Sequence, residues 1–153
     1  MGSAEADAQL RNQIVEDAKR IAEKAQLHGI KIDLEFHGGT LTDTVDSTQR
    51  LLEEIDSTHV RSYWQSPHDQ TVDERVAGMR QILPWVANVH VFHWIERVQQ
   101  PLMNGRADWS IYLDVLREAG VHRAVMLEFV RDSDPQQFLQ DAEVLKQLLA
   151  PTK

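Results

Sequence analysis

Four short apolar stretches each run into side chains with chemistry to offer. Residues 32–37 carry Glu35 and His37, residues 60–65 end in Gln65, residues 86–93 carry His90 and His93, and residues 124–130 carry Glu128. Carboxylates, imidazoles and a side-chain amide are the oxygen and nitrogen donors that hold divalent metals, and the first two also move protons. A helix-like segment follows each stretch. The chain therefore reads as successive strand–helix units whose strand ends converge on one face, where α/β folds keep their catalytic groups.

Proton transfer beside a carbonyl is among the reactions such a set can serve. Isomerising an α-hydroxy carbonyl compound means removing a proton from carbon, which is unfavourable unless the adjacent oxygens are polarised as the enediolate forms. A divalent cation supplies that polarisation, and carboxylates on separate strands, here Glu35 and Glu128, suit the base and the acid. His90 offers the metal one ring nitrogen, while His37, two residues past Glu35 and on its face, suits a substrate hydroxyl. His90 and His93 are three apart and cannot share a strand face, so His93 is read as a loop or supporting residue.

Each assignment has a plainer rival. A Glu in an apolar strand is costly to bury unpaired, so Glu35 and Glu128 are either functional or ion-paired. Gln65 and His68 divide evenly between site and surface hydrogen bonding. Arg97 suits a substrate hydroxyl or phosphate or is simply an exposed base. Trp64, Trp94 and Phe129 suit the wall of a substrate pocket, although aromatic residues beside strands are often core. His28, His59 and His122 sit at element ends, where solvent or helix-terminus roles suffice.

The elements that position these groups follow from periodicity. Leu10, Ile14, Ala18, Ile21 and Ala25 form one stripe of a helix over 4–27 that stops before Gly29. A strand over 30–37 breaks at Gly38-Gly39, and a helix from Thr44 turns Thr48, Leu51, Leu52 and Ile55 inward. After the strand over 60–65, Thr71 and Glu74 have the spacing of a capping box that opens a helix through Leu83, limited by Pro84. A strand over 86–94 leads into an irregular stretch, 95–107, read as a lid or a surface insertion. A helix from about Asp108 buries Trp109, Tyr112, Val115 and Leu116 and stops at Gly120. A strand over 124–130 precedes a helix from Asp134-Pro135 with Phe138, Leu139, Ala142, Leu145, Leu148 and Leu149 inward.

This order implies a parallel sheet with right-handed crossovers. Four curved parallel strands expose two edges and a concave face, so they must close against another set of strands, from a second copy or an N-terminal half. An open sandwich with helices on both faces is the competing architecture.

The 153 residues suit about one domain and fall short of the roughly 250 of a closed eight-stranded barrel. With 24 acidic against 16 basic residues the net charge is -8, which repels nucleic acid and anionic membranes. Lys19, Arg20 and Lys24 interleave with Glu16 and Glu23 at helical spacing, as on a solvated face. The lack of cysteine excludes disulfides and thiolate metal sites, and no apolar run reaches membrane-spanning length. A cytoplasmic protein without nucleic-acid or membrane partners is expected.

Taken together, Leu34-Glu35-Phe36-His37-Gly38-Gly39, Val89-His90-Val91-Phe92-His93-Trp94 and Val125-Met126-Leu127-Glu128-Phe129 resemble the last strands of the xylose isomerase-like barrels. That superfamily includes sugar phosphate isomerases and epimerases, tagatose and psicose epimerases, and the endonuclease IV branch. The resemblance implies an α/β fold that is half of a (βα)8 TIM barrel, about four parallel strands with an extra N-terminal helix, completed by dimerisation. Residues 1–3 are read as a leader and 4–153 as one (βα)4 half-barrel domain. It further implies a divalent metal (Mn, Mg or Zn) held by Glu35, Gln65, His90 and Glu128, with both Glu moving protons on a sugar or sugar phosphate. Gln65 stands where the family has Asp, and Gln65-x-x-His68 echoes its Asp-x-x-His; His37, His68, Arg97 and Trp64 are the expected substrate contacts. The alternatives are a non-catalytic half-barrel scaffold or dissected fragment that dimerises and an endonuclease IV-like metal-dependent hydrolase, the latter disfavoured by charge.

Overall fold

Side-chain oxygens placed one turn ahead of their targets decide where the helices begin. In the computed structural model, which describes residues 1–120 and 123–150, Asp7 accepts from the Leu10 backbone N–H at 2.8 Å and opens α1 (Ala8–Leu27). Thr44 accepts from the Ser47 N–H at 3.2 Å and opens α2 (Val45–Ile55). The capping box is present at α3 (Val72–Ile82): Thr71 N–H donates to Glu74 Oε2 at 2.7 Å and Glu74 N–H donates to Thr71 Oγ1 at 3.3 Å. Helix α4 spans Arg106–Glu118, and α5 (Pro135–Leu149) starts with proline in its first turn behind the Asp134 cap.

The strands between the helices are β1 (Ile32–Leu34), β2 (Val60–Gln65), β3 (Val86–Val91) and, after a two-stranded hairpin of β4 (His93–Ile95) and β5 (Val98–Gln100), β6 (Ala124–Leu127). They form a parallel sheet in the order β1-β2-β3-β6, with β1 and β2 paired from Ile32 opposite Val60 to Leu34 opposite Ser62. The expected α/β architecture, four parallel strands with an extra leading helix, is what is observed. Alternation along β2 buries Val60, Ser62 and Trp64 and leaves Arg61, Tyr63 and Gln65 half-buried on the opposite face.

Cα packing divides the chain into two compact units. The first comprises residues 1–64 and 81–88. Its core joins Val15 and Ala22 of α1 to Leu51, Leu52 and Ile55 of α2, with Leu41 and Val60. The buried stripe of α1 is rotated by about one residue from the expected one: Ile21 is exposed and Arg11 is buried. Arg11 tolerates burial because its Nε donates to Glu54 Oε2 at 2.8 Å, tying α1 to α2, while Arg50 holds the other oxygen at 2.7 Å.

The second unit comprises residues 65–80 and the chain from Val89 onward. Here the expected irregular stretch 95–107 is mostly ordered, as the β4–β5 hairpin, a 3-10 turn over Leu102–Gly105 and the start of α4. Buried Asp141 of α5 fixes that turn by accepting from the Leu102 N–H at 2.9 Å and from Gln137 Nε2 at 2.8 Å. Those two polar residues take the inward side of α5, so Phe138, Leu139 and Leu149, expected inward, are exposed, whereas Leu145 and Leu148 are buried.

Burial opposes the charge on Glu54, but hydrogen bonds from Arg50 and Arg11 outweigh it and hold the carboxyl below its ordinary range. The stability this contributes is fully present above the ordinary Glu range and is lost as the pH falls through the lowered value. Arg11→Ala is expected to cost about 1–2 kcal/mol in urea unfolding near neutrality, with the cost shrinking in acid as Glu54 protonates. An unchanged midpoint at neutral pH would show that the pair contributes nothing.

Candidate active site

The ends of β3 and β6 meet at one pair of side chains. Past the last residue of β6, the Glu128 backbone N–H donates to the Val91 carbonyl at 3.2 Å, so the inter-strand contact extends to the residue that carries the carboxylate. This sets Glu128 beside the neighbour of Val91, and His90 Nδ1 stands 3.3 Å from Glu128 Oε2. Both side chains are largely sheltered, at 14% and 20% exposed. On β3, Val89 and Val91 are buried and His90 is half-buried, the alternation that aims the imidazole away from the helices.

Gln65 ends β2, and its Oε1 is buried with no hydrogen-bond partner among the described residues. A carbonyl oxygen in that state costs on the order of 1–3 kcal/mol, a cost that a ligand to the oxygen would relieve. Beyond it, the loop to α3 carries His68, whose ring lies 5.1 Å from Trp94 and 5.9 Å from Phe92. Phe129 completes an aromatic wall, edge-on to Phe92 and Trp94 at 5.5 Å each. Trp109 Nε1 donates to the Phe92 carbonyl at 2.8 Å and fixes the strand end that bears this wall. Burial, and then the Arg97 and Arg75 charges against an opposing Asp69, push His68 below the usual imidazole range, so the ring is uncharged at neutral pH.

Arg97 occupies the tip of the β4–β5 hairpin. Ile95 pairs with Val98, leaving Glu96 and Arg97 as a two-residue turn with φ of 48° and 64°. Such turns favour Asn-Gly, and non-glycine residues there carry roughly 1–2 kcal/mol of strain each. From the tip, Arg97 Nη2 reaches Asp69 Oδ2 at 3.0 Å, an exposed pair that is weak and exchangeable.

In the first unit, Glu35 and His37 are exposed on either side of buried Phe36. Glu35 lies beside a groove of about 420 Å³ lined by Leu34, His37, Thr40, Leu41 and Leu51, and Thr42 Oγ1 donates to its carbonyl. His37 Nδ1 donates to the Gly38 carbonyl at 2.7 Å. Two residues before Glu35, Asp33 takes a bidentate pair from Arg61 at 2.8 and 3.1 Å and a third bond from Asn88 Nδ2 at 2.8 Å. The sequence reading missed this network, although Asp33 and Arg61 are direct partners across β1 and β2.

One assignment is overturned. Trp64 was expected to contact substrate, but it is 1% exposed on the helix-facing side of β2, since Gln65 takes the opposite face by alternation. Among the described residues, no three His, Asp or Glu side chains come together as a ready-made metal cluster; what is assembled is the His90–Glu128 pair.

A model of the xylose isomerase-like TIM barrel matches residues 2–148. The chain belongs to that family. A 3-dehydroshikimate dehydratase of Bacillus anthracis is 33% identical to it over 95 residues, 58% of this chain and 32% of that protein. Among solved structures, a probable 3-DHS dehydratase from Bacillus anthracis superposes with a TM-score of 0.78 at 22% identity, over 99% of this chain and 61% of that one. A xylose isomerase domain protein from Planctomyces limnophilus gives 0.74 at 15% identity, covering 94% and 53%. A xylose isomerase-like barrel from Mycobacterium smegmatis, solved in complex with magnesium, gives 0.67 at 19% identity, covering 95% and 53%. The chain thus spans between a third and three-fifths of the length of these relatives, and the solved ones show that its fold is part of a family barrel. No helix among the described residues is long and apolar enough to cross a membrane.

His93, three residues past His90, packs against Gly105. A Cβ built on Gly105 would lie 2.3 Å from His93 Nδ1 and 2.6 Å from its Cγ, so glycine is what allows the 3-10 turn to lie flush on the ring. Gly105→Ala is expected to destabilise by about 1–3 kcal/mol in urea unfolding, and by under about 1 kcal/mol in a His93→Ala background. Equal costs in both backgrounds would show that the ring is not the obstacle.

Proposed function

We propose that this chain carries the metal-binding part of an enzyme that removes a proton beside the carbonyl of a small polyhydroxylated substrate, such as a sugar or sugar phosphate. The observation that carries the reading is the His90–Glu128 pair, held at 3.3 Å by the Glu128 N–H to Val91 carbonyl bond. An imidazole nitrogen, a carboxylate oxygen and the buried, unpartnered carbonyl oxygen of Gln65 are a donor set that suits Mg, Mn or Zn. His90, Glu128 and Gln65 hold the metal in this reading; Glu35 joins them, and His37 faces substrate, on the family resemblance alone. A bound divalent cation supplies positive charge opposite the substrate oxygens as the enediolate develops.

The residues of the chain do the rest. Glu128 takes the proton from carbon, and Glu35 is the second carboxylate that returns one. Uncharged His68 accepts a hydrogen bond from a substrate hydroxyl, while Trp94 and Phe129 lie against the C–H face of the substrate and exclude water. Arg97 leaves the weak pair with Asp69 to hold a hydroxyl or an anionic group. Isomerisation, epimerisation and loss of water from a hydroxy carbonyl compound can all begin with this proton transfer, so the likeness to a dehydratase is compatible with the reading. In this reading a second copy pairs with the outer strands β1 and β6.

Titration calorimetry with Mn²⁺ tests the site. About one ion per chain is expected to bind, with at least a tenfold loss of affinity in Glu128→Gln and His90→Ala and none in His93→Ala. Undiminished binding in Glu128→Gln would remove the ligand assignment, and no binding by the native chain would favour a non-catalytic scaffold. Sedimentation equilibrium at micromolar concentration is expected to give twice the 17.6 kDa chain mass; a monomer would contradict closure by a second copy.

A further inference from the structure

We infer that Arg75 is a positioning residue for this site, a three-point clasp that fixes the loop after β2 and, through it, the ring of His68. The inference rests on the proposal that His68 meets substrate. Arg75 sits one turn into α3, its N–H bonded to the Thr71 carbonyl at 3.0 Å, so the capping box that starts the helix also sets the origin of its side chain. From there Nε donates to the Pro67 carbonyl at 2.8 Å, Nη2 to the carbonyl of His68 itself at 3.3 Å and Nη1 to the Tyr112 hydroxyl at 3.3 Å.

Those bonds span the loop between β2 and α3. Tyr112 is buried on α4 and also hydrogen-bonds Ser66, so one hydroxyl anchors both the clasp and the first residue of the loop. A cavity of only about 10 Å³ remains among Ser66, His68, Arg75, His93, Asp108 and Tyr112, which leaves the loop little room to shift inward. A planar guanidinium with five donors can serve three acceptors in different directions; a lysine ammonium, a point charge on a flexible stem, cannot hold the same three in fixed geometry. His68 is thereby pinned by its own carbonyl on one side while its ring rests on Trp94 and Phe92 on the other.

The charged groups facing His68 are Arg75 of α3, Asp69 of its own loop and Arg97 of the hairpin, with His93 and Asp108 lining the cavity beneath. Arg75 therefore acts on His68 through geometry and through charge, and variants separate the two. NMR on the whole chain reads both, as backbone order parameters at Ser66, His68 and Gln70 and as the titration midpoint of the His68 ring. In Arg75→Gln, loop order is expected to fall from about 0.85 to below about 0.6, and the His68 midpoint to rise as the neighbouring cation is lost. In Arg75→Lys the loop loosens as much but the midpoint stays low, and Tyr112→Phe loosens the loop with the midpoint unmoved. Should Arg75→Gln fail to fold, the other two variants carry the test. Folded Arg75 variants with native loop order and a native His68 midpoint would overturn the inference, as would native loop order in Arg75→Lys alone. Glu128→Gln is expected to leave both readouts native while weakening Mn²⁺ binding at least tenfold, so the clasp and the proposed chemistry fail or stand separately.

Discussion

One backbone hydrogen bond, from the Glu128 N–H to the Val91 carbonyl, sets the geometry on which the candidate site depends. Side chains on a strand alternate faces, and parallel neighbours keep a fixed stagger, so extending contact by one residue beyond β6 brings a carboxylate level with an imidazole. Without that bond Glu128 would belong to a loop free to turn toward water. With it, the pair is held by backbone geometry at the sheltered end of the sheet, where charge and hydrogen bonding are strengthened by burial. Precision of this kind is what a site needs, because loosely placed groups lose most of their catalytic value.

Around the pair, the second unit builds a wall from elements of different stiffness. The ends of β3 and β6 supply Phe92 and Phe129, β4 supplies Trp94, and the loop after β2 lays His68 against them. The parts differ in how firmly they are held. Trp109 and Gly105 seat the end of β3 and His93 from below, by a hydrogen bond and by close approach. The hairpin tip instead depends on a strained turn and one exposed ion pair.

Much of the fold was legible in the chain. The capping box at Thr71, the inward set Thr48, Leu51, Leu52 and Ile55, and the parallel order of four strands were readable because each depends on local spacing. What escaped depends on partners distant in sequence. Arg11 is buried because Glu54 meets it, and Asp141 because Leu102 needs an acceptor; in both helices the polar residue displaced an apolar one from the expected stripe. The β4–β5 hairpin was invisible because its strands are three residues long and its turn, Glu96-Arg97, lacks the usual Asn or Gly. Of the site, Glu128 and His90 stood out as polar groups in apolar strands. Trp64 misled because an aromatic residue next to a candidate ligand faces the other way on a strand, and the Asp33–Arg61–Asn88 network needed the strand register to be seen.

The central claim is that the ends of β3 and β6 form a cation site. Anomalous diffraction from crystals soaked in Mn²⁺ tests it most directly. The account requires a peak within about 2.5 Å of both a His90 ring nitrogen and a Glu128 carboxylate oxygen. A fully occupied Mn²⁺ elsewhere on the chain, with the His90–Glu128 pair unmoved and no density beside it, would contradict it.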